Sequence, residues 1–215
     1  MTRISKEPDE RRAEIIRAAA KLFSEKGFDQ TAVSDIVHAI NVAQGTFYYY
    51  FKSKDNVMLA VIDQLNDDII QKLTDVVNQP NLNPVQKIVS LSELEFQLNR
   101  EHDPLFQQLH LEQNNGLHQK IIVKSIQKMV PLYTKIIDEG VQQGIFNTEY
   151  PKEAAELMLV ATKFIFDPGI FQWENDEIIQ KGKAAQDMSE RILGAPKGSL
   201  GVNIDVRLAG MQRYN

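Results

Sequence analysis

Residues 31–54 read TAVSDIVHAINVAQGTFYYYFKSK, and the reading of this stretch decides the fold. Thr31 is placed to cap a helix, and Val33, Ile36, Val37 and Ile40 follow on one face at helical spacing, with Ser34, Asp35 and His38 elsewhere. Asn41 stands where a left-handed backbone ends that helix, and Val42 gives the turn an apolar plug. A second short helix is predicted over 44–50. Phe47 and Phe51, four apart, share the face that packs on the first helix, while Gln44, Thr46, Tyr48 and Tyr49 lie opposite.

Two short helices joined by a tight turn, the second displaying amide, hydroxyl and phenol groups, suit a helix-turn-helix whose recognition helix enters a major groove. A glutamine amide can bond bidentately to adenine, threonine can meet a base or a thymine methyl, and tyrosine hydroxyls can donate to phosphate oxygens. Thr31, Thr46, Tyr48, Tyr50 and Lys54 are therefore assigned mainly to the nucleic-acid backbone, and Ser34, Gln44 and Tyr49 to base reading. Gly45 lets the backbone come close. The run Lys52-Ser53-Lys54 ends one helix and opens the next, offering cations and free N–H groups to a phosphate.

With the preceding KLFSEKGFDQ (residues 21–30), the segment resembles the N-terminal domain of the tetracycline-repressor (TetR) family of bacterial transcription regulators. The likeness is carried by Leu22, Phe23, Gly27, Phe28, Thr31, Ile36, Val42, Gly45, Thr46, Tyr48, Tyr50, Phe51 and Lys54. It implies an all-α chain: an N-terminal three-helix DNA-binding domain over 1–53, a helical ligand-binding and dimerisation domain over 54–193, and a tail over 194–215. Double-stranded DNA, a second copy of the chain and a small apolar or amphipathic effector are the implied partners. In that family the last two helices of each subunit form a four-helix dimer interface. A dimer would place two recognition helices about one duplex turn apart on a pseudo-palindrome.

Composition sets outer limits. A chain of 215 residues with 43% hydrophobic and 25% charged content is ordinary for a globular protein. No apolar run approaches the roughly 20 residues needed to span a bilayer, and MTRISKEPDERR lacks a signal-peptide core, so a cytoplasmic protein without membrane attachment is expected. The absence of cysteine excludes disulfides and thiolate metal sites. The net charge of -5 divides unevenly, +1 over residues 1–60 and -6 over the remainder. A near-neutral domain can still bind DNA if Arg3, Lys6, Arg11, Arg12, Lys52 and Lys54 cluster on one face. For Arg11 and Arg12 a solvated helix face with neighbouring acidic partners is the alternative.

Outward from the opening stretch, a helix is expected from Pro8 or Asp9 to Gly27, burying Ile15, Ala19, Leu22 and Phe23. A long amphipathic helix over 54–78 carries Val57, Met58, Val61, Leu65, Ile69 and Leu73 and links the two domains. Further helices are predicted over 84–99, 103–111, 117–143, 151–166 and 174–193, with Pro131 kinking or breaking the third of the five. The helix over 151–166 is apolar on several sides, as a helix between its own core and a partner would be. The tail alternates Val202, Ile204 and Val206 like a strand but has no partner strand, so a loose or partner-docked segment is expected.

A ligand pocket is implied by the family resemblance; its candidate lining is Phe96, Phe106, His110, Tyr133, Phe164 and Trp173, for each of which plain core packing is the better reading. His102, His110 and His118 recur every eight residues, yet without a carboxylate cluster they read as solvated histidines, and no metal or cofactor is expected. The competing classes are a helical protein-interaction adaptor and an all-helical enzyme. No HExxH, GxSxG, P-loop or dinucleotide fingerprint supports catalysis.

Overall fold

The computed structural model describes residues 7–101 and 115–201. Arg3, Lys6, His102, Phe106, His110, the helix expected over 103–111 and the alternating stretch 202–206 lie outside the described residues. Within them the chain folds as α1 (Pro8–Lys26), α2 (Val33–Ala39), α3 (Gln44–Tyr50), α4 (Lys54–Val77), α5 (Pro84–Glu101), α6 (Asn115–Gln142), α7 (Pro151–Ile165) and α8 (Asn175–Leu193). The all-α architecture follows the hydrophobic periodicity closely, because each helix has at least one apolar stripe to bury.

Helix ends use local chemistry. Pro8 starts α1 with Asp9 and Glu10 beside the positive helix end. Asn41 adopts a positive φ of 53° and turns the chain between α2 and α3. Ser53 accepts the Asn56 N–H at 3.2 Å to cap α4. Asn83 and Gln86 exchange side-chain and backbone bonds, each 2.9 Å, at the start of α5.

Two hydrophobic cores result. The first joins Ile15, Ala19 and Phe23 of α1, Ile36 and Val37 of α2, Phe47 and Phe51, and Val57, Met58, Val61 and Ile62 of α4, together with Leu117 and Ile121 of α6. The second joins Ile69, Leu73 and Val77 of α4 to buried residues of α5, α6 and α7 and to Leu193 and Leu200. The cores therefore meet inside α4, between Ile62 and Ile69, and the expected division after residue 53 separates α4 from a core it completes. Ion pairs tie α6 to α4 through Lys124–Asp63 at 2.5 Å and Lys128–Asp67 at 2.8 Å, and α5 to α6 through buried Lys87 and half-buried Glu139 at 2.7 Å.

Three expectations are corrected. α6 starts at Asn115, so Asn115 and Gly116 belong to its first turn, and it runs unbroken through Pro131. Packing on both cores outweighs the hydrogen bond that proline removes. After α6 the chain folds straight back, with the Ile145 and Phe146 N–H groups both donating to the Gly140 carbonyl. A Cβ on Gly140 would fall 2.1 Å from the Phe146 ring, so only glycine fits there. The third correction concerns the tail. Its first residues are docked on their own chain, with Leu200 buried in the second core.

The anchor for that docking is Glu190, itself buried. Its carboxylate accepts from Gln186 Nε2 at 2.8 Å, the Gly198 N–H at 2.8 Å and the Leu200 N–H at 3.0 Å. Burial, the largest single influence, pushes its pKa up, but the bonds from Gln186, Gly198 and Leu200 and the nearby Lys197 together hold it below the usual 4.5. A lowered folded-state pKa means that the Glu190 contribution is present above the unfolded value and is lost as pH falls below about 4.5. Glu190→Gln is therefore expected to lower stability at neutral pH and to flatten the acid limb of a stability–pH curve. Equal acid sensitivity in both proteins would show that Glu190 is not the group responsible.

Candidate nucleic-acid interface

The surface made by α2, α3 and the start of α4 rests on a few buried side chains. Phe47 and Phe51 insert into the first core with ring centroids 5.8 Å apart, and each contributes roughly 1.5–3 kcal/mol by leaving water. That burial fixes which way α3 faces. Gln44 and Gly45 at its start are exposed, as are Ser34 on α2, Tyr48 at 52% and Tyr49 at 79%. Open space surrounds the Gly45 α-carbon, so a large flat group can approach the backbone there. Thr46 is half-buried, and Tyr50 is half-buried against the core with its ring edge-to-face on Tyr49 at 4.9 Å.

Two residues assigned to nucleic-acid contact make hydrogen bonds inside the fold. Thr31 is 1% exposed, and its hydroxyl donates to the Gly27 carbonyl at 2.7 Å. Its side chain closes the α1–α2 loop. It does not cap α2: the cap position is Ala32, whose N–H donates to Asp35 Oδ2 at 3.1 Å. The spacing from Ala32 to Asp35 is the readable half of a capping box. Lys54 Nζ turns inward to donate to the Phe28 carbonyl at 2.6 Å and the Asp29 carbonyl at 3.3 Å, lying 4.3 Å from the centre of the Phe28 ring.

The remaining cations divide by environment. Arg11 pairs with Glu14 on its own helix, and Lys26 with Asp35 at 3.7 Å. Arg12 stays exposed with its guanidinium 5.2 Å from the Phe51 ring, and Lys52 is exposed beside the end of α3. Arg12 and Lys52 are thus two exposed cations beside α3 that a phosphate could reach.

Four of the candidate pocket residues, Phe96, Tyr133, Phe164 and Trp173, lie among the described residues. Tyr133 is buried in the second core and Phe164 packs against it. Phe96 is half-buried on α5. Trp173 sits in the α7–α8 connection, stacked on Phe171 at 5.1 Å, its indole N–H donating to the Ile165 carbonyl at 2.8 Å and Lys181 lying 3.7 Å over the ring. None of them lines the void between α4, α5 and α6. That void, of about 10 Å³, is bordered by Asn66, Ile69, Ile70, Glu95, Ser125, Lys128 and Met129 and has the size of one water molecule. Asn66 is buried, and its Nδ2 has no hydrogen-bond partner. His118 corrects another reading. It is buried rather than solvated, with Nε2 3.0 Å from Asp167 Oδ2. Among the described residues, no cluster of His, Asp and Glu has the geometry to hold a metal ion, and no helix is long and apolar enough to cross a membrane.

Comparison with known proteins agrees with this arrangement. Residues 15–61 match the family described as bacterial regulatory proteins, tetR family, and residues 97–188 match a tetracyclin repressor-like C-terminal domain. The chain is 25% identical over 150 residues to the fatty acid metabolism regulator protein of Bacillus subtilis, covering 69% of this chain and 77% of that protein. It is also 25% identical over 146 residues to the transcriptional repressor KstR2 of Mycolicibacterium smegmatis, covering 66% and 71% respectively. Among solved structures, RolR in complex with resorcinol superposes with a TM-score of 0.65 at 17% identity over 96% of this chain and 95% of that one, a likeness of fold.

Lys54→Ala is expected to cost roughly 1.5 kcal/mol of stability, the loss of a charge-assisted hydrogen bond, read as a lower urea midpoint at unchanged slope. Unchanged stability with weakened DNA binding would instead place the ammonium on a phosphate.

Proposed function

Because the chain belongs to the tetracycline-repressor family of transcription regulators, we propose that it represses transcription as a dimer on a pseudo-palindromic operator and leaves that operator when it binds a small effector. The observation that carries the DNA half is the face of α3. Buried Phe47 and Phe51 hold the helix, and Gln44, Tyr48 and Tyr49 are thereby turned outward with Ser34 of α2. In this reading Gln44 and Ser34 meet base edges, with Tyr49 beside them. Tyr48, Thr46 and the Tyr50 edge lie along the phosphates, Gly45 gives close approach, and Arg12 and Lys52 supply charge. Thr31 and Lys54 act one step back, by shaping the loop on which α2 and α4 begin.

The dimer half is supported by apolar side chains left exposed on α7, α8 and their connection: Leu157, Val160, Ile165, Phe171, Met188 and Ile192. A second copy of the same hairpin would cover them, which fits the excess apolar surface of α7. For the effector, similarity to a fatty acid metabolism regulator favours an apolar or amphipathic molecule. The unpartnered Asn66 amide would give such a molecule's acceptor oxygen a donor, with Met129 able to move aside. Effector binding then favours a dimer with a different spacing of recognition helices and so draws the population off DNA. The protein would work in the bacterial cytoplasm, where its operator is.

Gln44→Ala is expected to relax sequence preference at one position of each half-site by roughly 1–3 kcal/mol, measured as the affinity ratio between the selected operator and single-base variants. Tyr48→Ala should weaken binding to all sequences alike. Equal loss on every sequence for Gln44→Ala would remove its base-reading role, and an affinity that does not fall as salt rises would favour an adaptor that docks protein through the aromatic face of α3.

A further inference from the structure

Asp167 organises the start of the connection between α7 and α8. Asp167 Oδ1 accepts the Gly169 N–H at 2.9 Å, while the Asp167 carbonyl accepts the N–H groups of Ile170 at 3.1 Å and Phe171 at 2.9 Å. The residue thus fixes the turn that carries Ile170 and Phe171 to the exposed apolar side of the hairpin. Its second oxygen, Oδ2, reaches across to Nε2 of His118, in the first turn of α6, and both side chains are at least nine-tenths buried.

His118 is also placed against the other end of the molecule. Its neighbours Leu117 and Ile121 are the two α6 residues buried in the first core, with Val57, Met58 and Val61 of α4 and the helices of the DNA-binding face. The first two turns of α6 therefore touch the DNA-binding domain through Leu117 and Ile121, and the α7–α8 connection through His118. A buried pair that loses one member leaves an uncompensated polar group behind, so it resists separation more than an exposed pair of the same length.

We propose that His118 and Asp167 are positioning residues for DNA binding: their buried contact fixes the angle between the α7–α8 hairpin and the α1–α3 domain, and so the distance between the two recognition helices of a dimer. This rests on the dimeric DNA-binding reading above, but the contact makes a claim inside one chain that is testable without DNA. The pair acts through α6 and touches no nucleic acid. Rigid elements joined by such a contact transmit a displacement at one end to the other.

The chain contains no cysteine, so spin labels can be attached at chosen positions without further changes. Gln30→Cys in the α1–α2 loop and Lys183→Cys on α8 are both exposed positions, one on each body. Doubly labelled protein diluted with an excess of unlabelled protein is measured by pulsed electron–electron resonance. The parent protein is expected to give one narrow distance distribution. Asp167→Asn keeps the shape and an acceptor for Gly169 but sets an amide N–H against the His118 ring or, if flipped, gives up the Gly169 bond. It should lose the single maximum. His118→Gln, which retains a donor at similar reach, should keep it. Ile88→Ala, a cavity in the second core away from the pair, controls for general loss of stability and should also keep it.

The second arm uses duplexes selected by the parent protein from a random pool, with one base pair inserted or deleted at the centre. The parent should discriminate among these spacings by roughly 5-fold or more, the usual size of a coupling between sites, and Asp167→Asn should lose that discrimination. A parent-like distance distribution in Asp167→Asn, or a broadened one in His118→Gln, overturns the proposal. If the parent selects no duplex, the DNA-binding reading fails while the distance measurement still decides the intramolecular claim.

Discussion

One helix is asked to belong to two cores at once. The first half of α4 supplies Val57, Met58, Val61 and Ile62 to the core beneath the recognition helix, and its second half supplies Ile69, Leu73 and Val77 to the helical bundle. Between them there is no glycine, proline or break, so any tilt of the bundle is carried into the DNA-binding domain as a rotation of the whole element. α6 follows the same line, with Leu117 and Ile121 in the first core and Ile126 through Ile137 in the second. The lysine–aspartate pairs between α4 and α6 are partly exposed and add little energy individually. They fix register between two helices that packing already holds.

Given that frame, the recognition segment divides its residues sharply. A short helix is marginal on its own, so α3 needs Phe47 and Phe51 buried in order to exist at all. In the loop before α2 the Thr31 hydroxyl sits on the Gly27 carbonyl and the Lys54 ammonium bridges the Phe28 and Asp29 carbonyls, tying the loop to the start of α4. What remains outward is small and nearly uncharged: Ser34, Gln44, Tyr48 and Tyr49, with Arg12 and Lys52 at the edge. In the proposed reading such a surface would draw specificity from hydrogen bonding and contact area more than from long-range attraction, as suits a domain close to neutral.

Much of this was legible in the residues alone, for a physical reason. Helical periodicity and helix-end chemistry are local, so the limits of α3, the left-handed turn at Asn41 and the stripe of α4 could be read directly. Contacts between distant residues could not. Lys54 finds Phe28 twenty-six residues back, and His118 finds Asp167 across most of α6 and all of α7. Nothing in the spacing of three histidines distinguishes a buried partner from a solvated ring. The docking of residues 195–200 depends on one glutamate that looks like any other charge on an amphipathic helix. The aromatic residues chosen for a pocket were chosen by type, and Tyr133 and Phe164 went to the core, as aromatic residues at helical spacing usually do.

The central claim is that two outward faces of α3, held at a fixed distance by the rest of the fold, read DNA. Selecting duplexes bound by the purified protein from a random pool tests it most directly. A dimer of this kind should enrich an inverted repeat whose half-sites are centred about one helical turn, or a multiple of it, apart, bound with an affinity that falls steeply as salt rises. Enrichment of no sequence, or of a single half-site with no symmetric partner, would contradict it.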